Sequence, residues 1–417
     1  MKSVQSIFFI IPAFFLVALL IELWLQRKLK KKVFHANDSI VNFSCGLSDR
    51  LFSVFWEGFL ASVFIAIGSV GLFYIPVTWW SVLLLALVVD FLWYWCHRLG
   101  HETSLLWGVH ILHHQSEHYN FSVGYRISSF QTIVRSTFWL VLPFLGFQPE
   151  IIFTVLIFHG VYQMPLHTQF IPRLGFLEYI LVTPSAHRVH HGTNPEYIDK
   201  NYGGVFIFWD LLFGTYAKEE ATVTYGITKK LDSYDTVWAH VHFFKDIRLK
   251  WKQVPGLGAK LKLLFSPPSQ MNNTVKPVER VETTPDFHEN PGTPASLVFY
   301  VFTQILWTVI TIYAMVVHSH QLALEVKVVM VTFSFLILAS VGALAEGKGW
   351  AFTAELIRWV FALSAVPILA MHHQWGTVYW VVGEVFMLAQ VGLLLWHLPF
   401  FKAKGVFGVL ALKAAEN

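Results

Sequence analysis

The sequence predicts an all-α fold: a polytopic membrane helical bundle with a histidine-rich site on its cytoplasmic side and a C-terminal four-helix membrane extension. Three observations carry this prediction. Of the 417 residues, 55% are hydrophobic and only 13% are charged, about half the charge of an ordinary soluble domain, and the mean hydropathy is +0.53. The apolar residues gather in nine runs, most of them close to the roughly 20 residues that a spanning helix needs. The chain also keeps 20 histidines, a residue type that lipid contact alone gives no reason to retain. This composition excludes a soluble enzyme, a disordered chain and a disulfide-stapled secreted domain. A net charge of +4 with no basic stripe among stacking aromatics argues against a nucleic-acid partner. Two cysteines, Cys45 and Cys96, with no C-x-x-C, exclude a disulfide framework and argue against a sulfur-ligated metal site.

The elements follow in order. Val4 to Leu25 reads as a retained anchor, and Arg27, Lys28, Lys30, Lys31 and Lys32 behind it predict a cytoplasmic end and an external N-terminus. Leu51 to Phe73 and Trp79 to Trp95 read as a hairpin turning through the uncharged Tyr74–Thr78. Ile133 to Phe147 and Ile151 to Pro165, joined by Gln148-Pro149-Glu150, are short for full spans; a re-entrant and a tilted hairpin both remain open. Thr168 to about Pro294 is polar and expected to be cytoplasmic. Within it, Lys245 to Phe265 alternates basic and apolar residues and predicts a helix at headgroup level, followed by a proline-rich linker. Four more spans are expected: Ala295 to Val317, Val326 to Ala345, Phe352 to Met371 and Thr377 to Leu398. The predicted division is an anchor and basic segment at 1–50, a catalytic domain at 51–250, an interfacial segment and linker at 251–294, and a membrane region at 295–417.

Eleven of the 20 histidines lie between His97 and His191. His97 and His101 are four apart; His110, His113 and His114 follow i, i+3, i+4, and His187, His190 and His191 repeat that spacing. On a helix, such intervals place a cluster on one face. Imidazole suits iron, zinc, copper or nickel, and eight nitrogens are too many for one ion, so two metal ions are expected. His167, 20 residues before His187, is a ninth candidate; His159 is a weaker one. His35, His118, His240, His242 and His288 have no partner at ligand spacing, and His372 and His373 are expected on the other side of the membrane. Asp90, two helical turns before His97, and Glu102, next to His101, are catalytic or ligand-orienting candidates. Arg98, Arg126 and Arg188 are candidates for headgroup contact.

The pattern His97-x3-His101, His110-x2-His113-His114 and His187-x2-His190-His191 resembles the fatty-acid hydroxylase/sterol desaturase superfamily of histidine-box di-metal oxygenases, over about Ser81 to Tyr216. Within it the chain is most similar to the alkylglycerol monooxygenase family, through Trp93–Arg98, Ser116–Asn120, Thr183–Gly192 and Asp199–Val205. It departs from its relatives at His118, where an acid is usual, and at Gln163, where some have a histidine. The resemblance implies two Fe2+ ions, O2, and tetrahydrobiopterin as electron donor, with a reductase or pterin-recycling system as partner. The implied reaction hydroxylates the ether-linked carbon of an alkylglycerol. A fatty acid, sterol or carotenoid hydroxylase or desaturase is the alternative within the superfamily. A membrane metal transporter is the alternative outside it.

Overall fold

The computed structural model describes residues 2–272, 294–318 and 321–403. Pro277, Pro285 and Pro291 of the proline-rich linker, and His288, lie outside the described residues. The elements are helical, with no strand beyond two isolated bridges among the described residues. Two compact units form. One comprises Met1–His35, Phe52–Leu231 and His240–Val281; the other Ala36–Leu51, Asp232–Ala239 and Glu282–Asn417.

In the first unit, α1 (Lys2–Leu29) contains the expected anchor. Its one acid is put to use: Glu22 accepts from the Phe121 amide at 2.7 Å and from Thr168 Oγ1 at 2.6 Å. α2 (Ala36–Ser69), whose residues Ala36–Leu51 belong to the second unit, starts 15 residues ahead of the expected Leu51, because its opening turns carry buried Asp38, Asn42 and Asp49, which no hydropathy pattern would include. α3 (Trp79–Glu102) is opened by a capping box in which the Thr78 side chain accepts from the Ser81 amide and Ser81 Oγ from the Thr78 amide, satisfying two otherwise orphaned donors. Its first half exposes Trp79, Trp80, Leu83, Leu84 and Leu87, while its second half buries Asp90, Tyr94, His97 and His101. A spanning helix therefore delivers the first histidine pair directly. α4 (Ser104–His114) follows after Thr103, whose extended backbone turns the chain.

The expected Ile133–Phe147 run is not one helix but two, α5 (Gln131–Trp139) and α6 (Val141–Phe144). Only α7 (Pro149–Gln163) of this hairpin is continuous, and neither arm has spanning length. Trp139, Leu142, Ile152 and Val155 pack with Phe64, Leu85 and Val89 as this unit's membrane core. α8 (Pro184–His190) is capped by Thr183, with Pro184 at its first position, where a missing N–H costs nothing. α9 (Phe208–Phe213) follows. The run expected as one headgroup-level helix is two, α10 (Thr236–Gln253) and α11 (Leu257–Phe265). Pro255 and Gly256, with φ of +74° at the glycine, break it. One face, with Phe243, Ile247 and Leu263, packs on Ile111 of α4. Leu249, Leu257, Leu261 and Phe265 stay exposed.

The second unit contains α12 (Ala295–Val317), α13 (Leu324–Ala345), α14 (Gly349–His372) and α15 (Thr377–Trp396), helices where four spans were expected; the first three have spanning length and hydropathy, and α15 is a shorter apolar helix. Its core joins Leu297, Tyr300, Ile337, Leu344 and Phe352 with Ile40. Inside lies a polar centre that hydropathy does not show. Glu355 is ion-paired with Arg358, both fully buried, and accepts from Tyr300 Oη and Ser340 Oγ, each at 2.6 Å. Arg358 also donates to Gln304 Oε1 at 2.9 Å. A charge in a span persists only with such partners. Across the described residues, α3, α12, α13 and α14 are long and apolar enough to cross a membrane, so this is an integral membrane protein.

Candidate metal centre

The nine predicted histidines converge, in two groups. His97, His101, His110, His114 and His190 form one; His113, His167, His187 and His191 form the other, and within each group the ligand nitrogens lie within 4.8 Å of one another. The boxes are thus interleaved. Each H-x2-H-H word sends its i, i+4 pair to one group and its middle histidine to the other. His167, from the turn after α7, completes the second group at 3.0 Å from His187 Nε2 and 3.3 Å from His113 Nε2. His159 joins neither group.

Four of the rings are aimed by backbone carbonyls. His97 Nδ1 donates to the Tyr202 carbonyl at 2.8 Å, His190 Nδ1 to Lys200 at 3.0 Å, His113 Nδ1 to Arg126 at 3.2 Å and His167 Nδ1 to Met164 at 3.2 Å. A carbonyl can only accept, so each Nδ1 carries the proton and each Nε2 keeps its lone pair for a ligand bond. Two of these carbonyls come from one turn. Asp199 and Asn201 both adopt left-handed backbone, with φ of 58° and 56°, which asparagine and aspartate tolerate best among non-glycine residues. The Asp-Lys-Asn word was the available signal for this turn, although spacing rules for ligands pass over it.

The nitrogen set fits a pair of cations. Nε2 of His101, His190 and His191 is buried with no hydrogen-bond partner, a costly state for an imidazole unless something else binds there. Burial, with the neighbouring imidazoles adding to it, holds His110, His113, His114, His187, His190 and His191 well below the usual histidine range. Burial pushes His167 down to about 4. Neutral imidazole is the form that ligates.

The acids lie elsewhere. Asp90 does not reach His97. Its carboxylate accepts from the amides of Val205 and Phe206, from Trp209 Nε1 and from His159 Nε2, at 2.7 to 3.0 Å. It clamps the segment that follows Tyr202. Gly204 is part of this clamp, since a Cβ there would meet the His159 ring at 2.6 Å and Trp93 at 2.7 Å. Asp210 holds the Tyr202 and Gly203 amides at 2.7 and 2.8 Å. Glu102 is partly exposed and pairs with Arg98 Nε at 2.9 Å. Arg126 and Arg188 turn inward rather than toward a headgroup: Arg126 donates to the Leu112 carbonyl and Gln115 Oε1, Arg188 to Glu219 and to the carbonyls of Thr168 and Ile171. Beside the first group, a cavity between α3, α4 and α5 is lined by Trp93, His97, Val109, His110, Gln131 and Arg135, among others. Gln131 and Arg135 had no sequence signal.

The fatty acid hydroxylase family profile matches residues 82–215, the stretch that holds all nine histidines. The alkylglycerol monooxygenase of Danio rerio is 31% identical over 372 residues, covering 84% of this chain and 82% of that protein. That of Homo sapiens is 37% identical over 262 residues, 61% of this chain and 58% of its own length. Ornithine lipid hydroxylase OlsE of Rhizobium tropici is 30% identical over 158 residues, 36% of this chain and 46% of its own. No solved structure matches the chain. A histidine centre of this spacing at the end of a spanning helix, together with likeness along most of the chain, leads to one conclusion: the chain belongs to the fatty acid hydroxylase superfamily, on its alkylglycerol monooxygenase branch, and is an O2-dependent oxidoreductase of the membrane.

Proposed function

We propose that the chain is a di-iron monooxygenase that hydroxylates the ether-linked carbon of alkylglycerols, with a reduced pterin as electron donor and the histidine centre on the cytoplasmic side. The observation that carries this reading is the division of nine histidines, eight buried and His113 half-buried, into two adjacent nitrogen groups, in a chain related to alkylglycerol monooxygenases over most of its length. Bound iron would supply O2 activation. The chain's residues do the rest. His97, His101, His110, His114 and His190 would hold one ion, and His113, His167, His187 and His191 the other. The carbonyls of Tyr202, Lys200, Arg126 and Met164 fix four rings, and Asp90 and Asp210 hold the segment that presents two of those carbonyls. The exposed apolar residues of the first half of α3 support entry of a lipid tail from the bilayer.

The chemistry balances. One oxygen atom of O2 enters the C–H bond beside the ether oxygen; the other leaves as water, with two electrons and two protons from the pterin. The resulting hemiacetal collapses to a fatty aldehyde and glycerol. The five basic residues at and just after the end of α1 support this orientation. The test is to incubate membranes containing the protein with alkylglycerol, O2 and tetrahydrobiopterin, and to measure aldehyde. His113→Ala and His190→Ala, one from each group, are expected to abolish aldehyde and lower bound iron. Full activity in either variant, or aldehyde absent while a fatty acid or sterol is hydroxylated, would overturn the reading.

A further inference from the structure

Away from the nine-histidine centre, the second unit draws together another set of ligating side chains: Glu325, His372 and His373, whose ligand atoms lie within 4.8 Å of one another. Glu325 stands in the first turn of α13, while His372 ends α14 and His373 caps it. The start of one helix thus meets the end of the next. The turn behind the histidines is closed by two hydrogen bonds, from the Gln374 amide to the Met371 carbonyl at 3.4 Å and from the Trp375 amide to the Ala370 carbonyl at 2.9 Å. Gln374 takes left-handed backbone there, with φ of 53°, as this type of helix cap requires.

Three features point to a cation between these groups. Glu325 Oε1 lies 3.1 Å from His373 Nε2 and 4.0 Å from His372 Nε2, and donors around a tetrahedral zinc-like ion stand about 3.4 Å apart. His373 Nε2 is closed to solvent and makes no hydrogen bond, although the carboxylate is beside it; the two atoms converge without being aligned on each other, which leaves the nitrogen in need of a partner. The helix end that carries both imidazoles is the negative end of the α14 dipole, and residues 318–325 and 372–376 contain no Lys or Arg. Lys327, two positions beyond Glu325, points off the Glu325 face.

We propose that Glu325, His372 and His373 form a binding site for a divalent transition metal of the zinc class, separate from the nine histidines. Two imidazoles and one carboxylate suit such an ion and leave a fourth position for water, whereas Ca2+ and Mg2+ take oxygen donors. The side chains of His372 and Glu325 are 68% and 49% exposed, so the ion exchanges with the surrounding solution. With the orientation proposed above, that solution is the non-cytoplasmic one. Bound metal clamps the start of α13 to the end of α14, and its occupancy sets how firmly that end of the helix pair is held.

The test uses the full-length, iron-loaded protein in nanodiscs, equilibrated with radioactive Zn2+ at micromolar free concentration. The parent is expected to hold one equivalent more than His373→Ala or Glu325→Gln; Zn2+ taken up by the nine-histidine centre counts equally in all three and cancels. Glu325→Gln keeps the size of the side chain and removes its charge, so it reads the site even where the histidine variant does not fold. In hydrogen-exchange mass spectrometry, Zn2+ is expected to slow the amides of 323–327 and 371–376 in the parent by at least about threefold, since a ligand that binds only the closed form suppresses local opening. Ca2+ is expected to leave them unchanged. Parent-level Zn2+ in Glu325→Gln, or protection by Ca2+ equal to that by Zn2+, overturns the site.

Discussion

Each H-x2-H-H word splits because residues four apart on a helix point the same way and the third lies to one side. His110 and His114 therefore face one nitrogen group while His113 faces the other, and His187 and His191 separate from His190 in the mirrored sense. These side chains stay neutral because they are buried, and that has a consequence for stability. Their folded pKa values lie below the unfolded value of about 6.5, so the unfolded chain binds more protons as the pH falls below 6.5. Stability is complete above that pH and declines as pH drops toward the folded values. For His167, held at about 4, the loss at pH 5 is on the order of 2 kcal/mol. Melting of the chelator-treated protein in detergent at pH 8, 7, 6 and 5 is expected to be level down to 7 and then to fall steadily. A level profile to pH 5 would contradict the buried, neutral arrangement. Eight of the nine histidines are visible in the sequence because ligand spacing is local, and the ninth, His167, only by its place 20 residues before His187. Their sorting is not, since His167 and the carbonyls at 126, 200 and 202 come from segments brought together only by tertiary packing. Asp90 shows the same limit: helical spacing aims it along the His97 face, yet it serves the distant segment 205–209.

At the scale of elements, the four C-terminal apolar runs became helices within a few residues of expectation, because hydropathy over 20 residues outweighs local detail. Short or mixed runs did not. The Lys245–Phe265 stretch has a continuous amphipathic pattern, but Pro255 and Gly256 override it. The start of α2 is polar and was missed for that reason. A close contact inside the second unit makes a quantitative test of one element. Gly342 of α13 lies under the 233–236 segment, where a Cβ would come within 1.7 Å of the Tyr234 carbonyl oxygen. Four residues on, Glu346 accepts from Ser233 Oγ at 2.9 Å and from the Tyr234 amide. Gly342→Ala must therefore push that segment off the helix and strain both bonds. Overpacking of this kind costs about 1 to 3 kcal/mol. The variant is expected to melt lower and to exchange the Tyr234 amide faster in hydrogen-exchange mass spectrometry; unchanged exchange at that amide would show that the segment does not depend on the glycine.

At the scale of the whole molecule, sequence order and spatial unit part company. The sequence invites a cut at the linker, with a catalytic domain at 51–250, a linker ending at 294 and a separate membrane region after it. The second unit instead recruits Ala36–Leu51 and Asp232–Ala239. Ile40 belongs to the core of Leu297, Tyr300 and Leu344, and Leu51 packs with Met315 and Leu338. Ser233 and Tyr234 are held by Glu346, and Lys348 Nζ donates to Ser233 Oγ at 3.1 Å. Removing everything after Pro294 takes away all of these partners at once. Asp38, Asn42 and Asp49 lie in the same unit and are almost fully buried in the intact chain, and buried polar groups that lose their environment are expensive. A chain ending at Pro294 is therefore expected to accumulate poorly and to elute as aggregate in fluorescence-detected size exclusion. Residues 36–51 and 232–239 are expected to become protease-sensitive in it, while the intact chain resists. A truncated protein that stays monodisperse, with those two segments protected, would show that the second unit is not what holds them.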